Sequence, residues 1–493
     1  MQPRGFVRVS GDRLRLVEAD GSPFYFCGAN CYYLLTRAAD PATRHECTAV
    51  LDDAAAAGIT VLRTWAFADG EQWSALQTRP GVFEERTFRA LDWVVAEAGR
   101  RSMRLLLNLT NYWKDYGGMR VYVQWAYEAR GQQPPMDGSG QVAAEPFYTD
   151  PDCQRMFRAY MAAVVQRVNT LTGVRYSEDP TILAWGLANE PRCEGDHACA
   201  VVPFWADAMA RHLKSLDPHH LVTLDTEGFL GPSTPDEAAH SNPYSCAGTG
   251  CDFAADCGSP AIDFACAHLY PDLWLPQADE QERLRFALRW LDCHVAVARR
   301  MGKPLVLSEW GKQRSQAGEA AATGGSSRAG FYAQVLGRCV QHMQAGGLAG
   351  TAFWMMAAPS YPDYDGFTVY FHSPPSSGTG GGTANISSSS SQPEQMLPAR
   401  AGERTAAVIR QHAATVALLN GRPEIASGQL PYLAQPAASL GHPSASVTPA
   451  GSISSAPHHL PLPAVGGGHG QTVHSGGSGR GRFCYCYCCC PQM

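Results

Sequence analysis

Little in this chain of 493 residues points toward a membrane, a nucleic acid or a metal. No apolar run reaches the roughly 18 residues that a membrane-spanning helix needs. Basic residues do not outnumber acidic ones. The balance is 39 Lys+Arg against 45 Asp+Glu, a net charge of −6. That offers no electrostatic footprint for nucleic acid or for an anionic membrane. The opening MQPRGFVRVS lacks the apolar stretch of a signal peptide, so the chain either stays inside the cell or lacks its natural start. The His and Cys residues outside the tail make no zinc-ligand spacing, which predicts no metal and no cofactor. No internal repeat is visible.

Cysteine is not scarce, and its 17 residues fall into two populations. Five crowd the last ten positions, Cys484, Cys486, Cys488, Cys489 and Cys490. The others are scattered from Cys27 to Cys339. Cys193, Cys199, Cys246, Cys251 and Cys257 sit in polar, Gly-rich stretches, which suggests disulfides and an oxidising compartment. Cys193 and Cys199 are expected to pair. Cys27 and Cys266 lie in apolar strand-like runs and read as buried thiols.

Two stretches organise the rest. Ile182–Pro191, ILAWGLANEP, opens as a continuous apolar run, the pattern of a strand buried on both faces of a parallel sheet. It ends in Asn189-Glu190, and Pro191 stops it. Pro304–Gly311, PLVLSEWG, repeats the design and ends in Glu309. An ionisable group at the carboxyl end of a buried parallel strand is where a (β/α)₈ barrel keeps its chemistry.

Strand-like and helix-like stretches alternate around these two. A hairpin over Arg8–Phe26 would cover the barrel's bottom, with Gly11-Asp12 and Asp20-Gly21 as turn signals. Strands are predicted at Phe24–Asn30, Ile59–Trp65, Arg104–Thr110, Ile182–Glu190, Leu221–Glu227, Asp263–Tyr270, Pro304–Trp310 and Gly350–Met356. Helices fall between them, and a last one spans Gly402–Asn420. A long loop is expected after the third strand. Eight βα units with no second sheet favour an α/β fold of the closed TIM-barrel kind. The catalytic domain would be residues 1–420. Within it, residues 373–400 are a Ser/Gly-rich insertion that cannot bury enough apolar surface to order itself. Residues 421–493, rich in Pro, Gly, Ser, Ala and His, read as a disordered tail. The final four residues have the Cys-a-a-X shape, but Pro and Gln are poor fits and prenylation is incompatible with secretion.

The predicted strand ends collect Arg63 and Trp65, Trp113, Asn189 and Glu190, His268 and Tyr270, Glu309, and Trp354. Glycoside hydrolysis needs two carboxyls, one to protonate the leaving oxygen and one to attack or to activate water. Sugars present hydroxyl edges and apolar C–H faces, and polar groups set among tryptophans suit both. Trp185 and Trp310 are expected in the core, and His219-His220 in a solvated turn. The sequon at Asn108 should be silent in a buried strand, whereas that at Asn385 would be accessible.

The chain resembles an endo-β-1,4-mannanase of glycoside hydrolase family five, in its plant-like form. The matching segments include FCGANCYYL (26–34), VLRTWAF (61–67), WGLANEPRC (185–193), IDFACAHLYPDLW (262–274) and PLVLSEWGK (304–312). They run in order over about residues 20–420. The resemblance implies that Glu190 is the acid/base and Glu309 the nucleophile of a retaining mechanism. Asn189 would bond the sugar 2-OH, and Arg63 and Tyr270 would keep Glu309 ionised. His268 would support Glu190. Trp65, Trp113 and Trp354 would form the sugar platform, and Arg192 would meet a leaving-group sugar. It also implies a secreted monomer whose partner is a β-mannan. The alternatives are a family-five hydrolase or transglycosylase on another β-1,4-glycan, and a non-catalytic mannan-binding barrel. The last would require loss of a carboxyl, and both are present.

Overall fold

In a computed structural model of the chain, residues 5–243, 246, 248–314, 327–371 and 397–423 are described. Residues 373–396 of the Ser/Gly-rich insertion, the Asn385 sequon and the Cys-rich tail lie outside them, whereas residues 397–400 of that insertion belong to the last helix, Leu397–Leu419.

Eight parallel strands follow the predicted order: β1 (Phe26–Asn30), β2 (Val61–Trp65), β3 (Arg104–Asn108), β4 (Ile182–Asn189), β5 (Leu221–Asp225), β6 (Ala265–Leu269), β7 (Leu305–Trp310) and β8 (Gly350–Phe353). Every residue of these strands is buried. That explains the unbroken apolar runs, since each strand is covered on both faces. The sheet runs β6-β7-β8-β1-β2-β3-β4-β5. Its seam between β5 and β6 is bridged by Asp263 N to Val222 O at 2.7 Å and His268 N to Glu227 O at 3.0 Å. The result is a nearly closed TIM barrel.

The lower interior is packed by Phe26, Val61, Leu106, Ala184, Cys266 and Val306. Val7, Leu16 and Phe24 join that cluster from the chain's start. There an antiparallel pair, Arg8–Val9 with Leu16–Val17, forms the expected hairpin. The outer core lies between the sheet and its ring of helices. Some of those helices start at a side-chain cap. Asp150 accepts from Asp152 N and Cys153 N ahead of Pro151–Val165, with Pro at the first position. Asp279 caps Glu280–Met301, and Gly302 ends it at φ +64°.

Register carries the chemistry upward. Asn30 pairs with Arg63 across β1 and β2, Asn189 with Asp225 across β4 and β5, and His268 with Glu309 across β6 and β7. Neighbours in register share a face of the sheet, so these side chains converge at the C-terminal mouth. Gly186 makes room for this, because a Cβ there would stand 1.7 Å from Asn108 Oδ1.

The structure corrects several expectations. The loop after β3 holds a helix, Met119–Ala129. His220 is buried rather than solvated, bonded to Asp217 at 2.6 Å and to the Asp179 carbonyl at 2.9 Å. Cys193 and Cys199 are free thiols, as are the other ten described cysteines. Asp196 organises their loop instead. Its carboxylate accepts from Ala198 N, Ala200 N and Val201 N. Trp185, Trp310, Cys27 and Cys266 are buried as expected, and so is Asn108 of the first sequon.

Candidate active site

Four buried carboxyls and three buried cations meet at the mouth. Glu190 follows β4 and itself adopts φ +45°. That left-handed conformation is uncommon for a residue with a Cβ and tends to cluster at active sites. Its Oε1 is 2.6 Å from His268 Nδ1, and its Oε2 accepts from the Trp113 indole N–H at 2.6 Å. Glu309, inside β7, accepts from the Tyr270 hydroxyl at 2.7 Å and from Arg63 Nη1. His268 Nδ1 also lies 3.7 Å from Glu309, so the imidazole stands between the two glutamates.

Arg63 spans the mouth. Beyond Glu309 it donates to Asn30 Oδ1 at 2.7 Å, to Asn189 Oδ1 and, through Nε, to Asp225. Its guanidinium carbon lies 4.8 Å from the centre of the Trp65 ring. Asn189 is held in turn by Asn111 at 3.0 Å. Asp225 anchors the floor, accepting from Asn108 at 2.9 Å and Ser308 at 2.6 Å, with His268 Nε2 at 3.2 Å. Arg192 makes a bidentate pair with Glu227 at 2.6 and 2.7 Å. It lies 4.9 Å from the Trp113 ring and 5.5 Å from that of Phe229. Trp354 stacks on Tyr32 at 5.2 Å, and its indole N–H donates to Asp365 at 2.8 Å.

All ten residues singled out in the sequence therefore stand in or beside one cluster. Glu190, Glu309, Asn189, Trp65 and Trp354 line a cleft of about 420 Å³, along with Tyr32, Tyr361 and Tyr364. Sequence reasoning missed Asp225 and Glu227: Glu227 ends the predicted strand Leu221–Glu227 as Glu190 ends its own, and Asp225 lies inside that strand. Asn30 and Ser308 were hidden inside strand words that read as structural.

The charges explain the titration. Burial alone would push every carboxyl up. For Glu190 the hydrogen bonds and charge of His268, with the Trp113 N–H, overcome burial and hold it below its ordinary range. Glu309 is raised by burial, and the charges of Glu190 and Asp225 add to this against Arg63 and His268. Arg63 and Tyr270 both bond Glu309, and the Arg63 charge pulls its value down, but burial outweighs that pull. Burial pushes Asp225 up too, but Arg63, His268 and Ser308 hold it far below the ordinary range. Burial raises Glu227 to about 7 despite Arg192. His268 is raised to about 10, its burial outweighed by Glu309, Asp225 and Glu190. Four acids against Arg63, Arg192 and His268⁺ leave one negative charge in excess. One further proton on a carboxyl makes this buried cluster neutral, which is the state burial favours.

Glu190, His268 and Glu309 each offer a donor atom within 4.8 Å of the others, a geometry that could hold a cation. Both imidazole nitrogens already face carboxylates, however, and Arg63 occupies Glu309.

Residues 4–364 match the family described as GH family 5 beta-mannosidase-like. Mannan endo-1,4-beta-mannosidase 1 of Oryza sativa subsp. japonica is 40% identical over 80% of this chain and 90% of its own length. Mannan endo-1,4-beta-mannosidase 3 of Arabidopsis thaliana is 38% identical over 71% of this chain and 81% of its own. Among solved structures, an endo-1,4-β-D-mannanase of Thermotoga petrophila superposes with a TM-score of 0.62 at 28% identity, over 79% of this chain and 99% of that one. The barrel, its paired glutamates and these likenesses agree, and the chain belongs to the β-mannosidase-like members of glycoside hydrolase family 5.

Proposed function

We propose that the protein is a retaining endo-β-1,4-mannanase that cuts internal mannosidic bonds of mannan, glucomannan or galactomannan. The observation that carries this is the pair Glu190 and Glu309, each with an oxygen within 4.8 Å of the other and with His268 between them. In the first step Glu190 protonates the glycosidic oxygen while Glu309 attacks the anomeric carbon, forming a glycosyl-enzyme. In the second, Glu190 takes a proton from water, which attacks the same carbon and releases Glu309. A proton crossing the 2.6 Å contact from His268 to Glu190 leaves a neutral acid beside a neutral imidazole. Arg63 and Tyr270 receive the charge that returns to Glu309 on release.

Asn189, fixed by Arg63 and Asn111, bonds the sugar 2-OH, and Trp65 and Trp354 carry the ring faces. Trp113 joins that platform, and Arg192, 4.9 Å from its ring, meets the leaving-group side. The catalytic domain of this reading is residues 1–420. Asn420 closes it, bonding the backbone of Tyr25 at 2.8 and 2.7 Å. Plant relatives of this name and a polymeric glycan substrate support action outside the cell. Among the described residues, no helix is long and apolar enough to cross a membrane. Reducing-sugar release by purified protein from mannan, glucomannan and cellulose tests the reading. Release from cellulose but not from mannan would overturn it.

A further inference from the structure

Behind the wall of the cleft lies a carboxyl that the mechanism above does not use. Asp69, in the loop after β2, is only 3% exposed. A buried carboxyl is costly unless it is paired or keeps its proton. The groups around Asp69 are neutral. Its Oδ1 accepts from Gln77 Nε2 at 3.2 Å, and the same nitrogen lies 3.0 Å from the Tyr122 hydroxyl. Tyr122 comes from the helix Met119–Ala129 and Tyr160 from Pro151–Val165, and both feel the Asp69 carboxyl. Among the described residues, Asp69 Oδ2 makes no hydrogen bond. Burial pushes the carboxyl up to about 8, against the pull of Gln77 and the nearby Gly118 N–H.

What Asp69 holds bears on the chemistry. Its amide donates to the Tyr116 carbonyl at 2.8 Å. That carbonyl sits at the tip of a tight turn, closed by Gly117 N to Lys114 O at 3.1 Å and by Met119 N to Asn111 O at 3.0 Å. The approach is close, since a Cβ on Gly117 would stand 2.3 Å from the Asp69 carbonyl oxygen. Tyr116 itself adopts φ +59°, which a residue with a Cβ keeps only when its surroundings hold it there. The same turn carries Trp113, whose indole N–H bonds Glu190. Asn189 is fastened separately, by its own amide to Thr110 O at 2.9 Å and by Tyr112 N to its carbonyl at 3.1 Å. Trp113 lies beyond those two bonds, on the part of the turn that Asp69 braces.

We propose that Asp69 is a positioning residue for the acid/base, bracing the turn that lays Trp113 on Glu190. The inference rests on the reading of Glu190 as the acid of a glycan-cleaving site. Asp69 acts as an uncharged group. Once ionised it would face two tyrosines and an amide with Oδ2 unpaired, and would draw toward water with the turn attached. The Trp113 N–H would then shift on Glu190, while Asn189 stayed in place.

The test compares wild type, Asp69→Asn and Asp69→Ala on mannan and on an activated aryl mannobioside, whose leaving group needs no proton. Asp69→Ala should lower kcat/KM on mannan on the order of ten- to a hundredfold, as a misplaced catalytic group does. Its loss on the aryl substrate should be much smaller. Asp69→Asn, isosteric and neutral, should restore mannan activity at pH 6, and should keep activity that wild type loses as pH rises through 8. Stability gives a second readout. The unfolded carboxyl ionises near 3.8 and the folded one near 8, so the stability it contributes is fully present below 3.8 and is lost as pH rises through 8. Across that window the Tm of Asp69→Asn should gain on that of wild type. Equal losses on both substrates in Asp69→Ala, or an Asp69→Asn no better than Asp69→Ala, would overturn the proposal. Should Asp69→Ala fail to fold, the pH profiles of wild type and Asp69→Asn decide, and parallel profiles overturn it. A wild type that spares mannan but cuts another β-1,4-glycan refutes the mannanase reading instead. The same comparison on that glycan and its aryl glycoside then decides the role of Asp69.

Discussion

His268 and Asp225 face each other across the β5–β6 seam, with Nε2 3.2 Å from Oδ1. The contact fixes which imidazole nitrogen is left for the glutamates. With Nε2 turned to Asp225, Nδ1 stands 2.6 Å from Glu190 and 3.7 Å from Glu309. Asp225 also takes Arg63 Nε, so one carboxylate orients the cationic partners of both catalytic glutamates.

Replacing either glutamate by its isosteric amide should spare the fold and remove turnover. Glu190→Gln should lose roughly 10²–10⁴-fold, the usual size of a general acid's contribution. Glu309→Gln should lose at least as much. An activated aryl glycoside, whose departure needs no proton, should restore the first step in Glu190→Gln and do nothing for Glu309→Gln. Steady-state kinetics on both substrates decide this, and wild-type-like rates in either variant would sink the assignment.

Asp225→Asn should be costly in both stability and rate. It removes a buried charge that faces Arg63 and His268, and breaking such a pair typically costs about 3–5 kcal/mol. The Tm should fall. In addition, His268 should lose its proton at lower pH, so the alkaline limb of the activity profile should move down. A lowered Tm with an unmoved pH profile would leave Asp225 a purely structural residue.

Why Asp225 had to be seen rather than read is instructive. The strand ends Glu190 and Glu309 were legible because an ionisable residue followed an apolar run and a turn signal closed it. Asp225 follows such a run as well, but LVTLD is followed by Thr226 and Glu227 without a breaker. Nothing in one dimension says which of the three points inward. Register settles it, since Asp225 pairs with Asn189. The barrel, by contrast, was readable strand by strand, because burial on both faces leaves an unbroken apolar signature. The helix Met119–Ala129 was not, because the Gly117-Gly118 pair and the polar stretch before it resemble a loop. The Cys193–Cys199 pairing failed for a similar reason. Spacing says two thiols are near, but not that the Asp196 carboxylate already organises the turn between them.

The raised His268 has a consequence for stability. Its partners favour the charged imidazolium in the folded protein, up to about pH 10, against an ordinary value of 6.5. A cation whose folded value is raised contributes stability that is fully present below 6.5 and is lost as pH rises through 10. Between pH 8 and 10.5 the Tm of wild type should therefore fall faster than that of His268→Gln, which has no such proton to lose. Differential scanning calorimetry across that range measures the gap. A gap that stays constant would mean that His268 is neutral in the folded protein.

The last prediction concerns the stereochemistry of the product. Glu190 follows β4 and Glu309 is the next-to-last residue of β7, on either side of the β5–β6 seam. An oxygen of one lies within 4.8 Å of an oxygen of the other. Retaining glycosidases hold their carboxyls about 5–5.5 Å apart, and inverting ones about 6.5–9.5 Å apart, to leave room for a water between carboxylate and sugar. That close approach suits the retaining arrangement rather than the wider inverting one, in which case the second carboxylate itself attacks. Two displacements at one carbon restore the starting configuration. The Tyr270 hydroxyl at 2.7 Å and the Arg63 guanidinium orient Glu309 for that attack. Proton NMR of a fresh mannan digest, recorded before mutarotation, should show the β-anomer first. An initial α-anomer would mean that water attacks directly, and would overturn both the double displacement and the place of Glu309 in it.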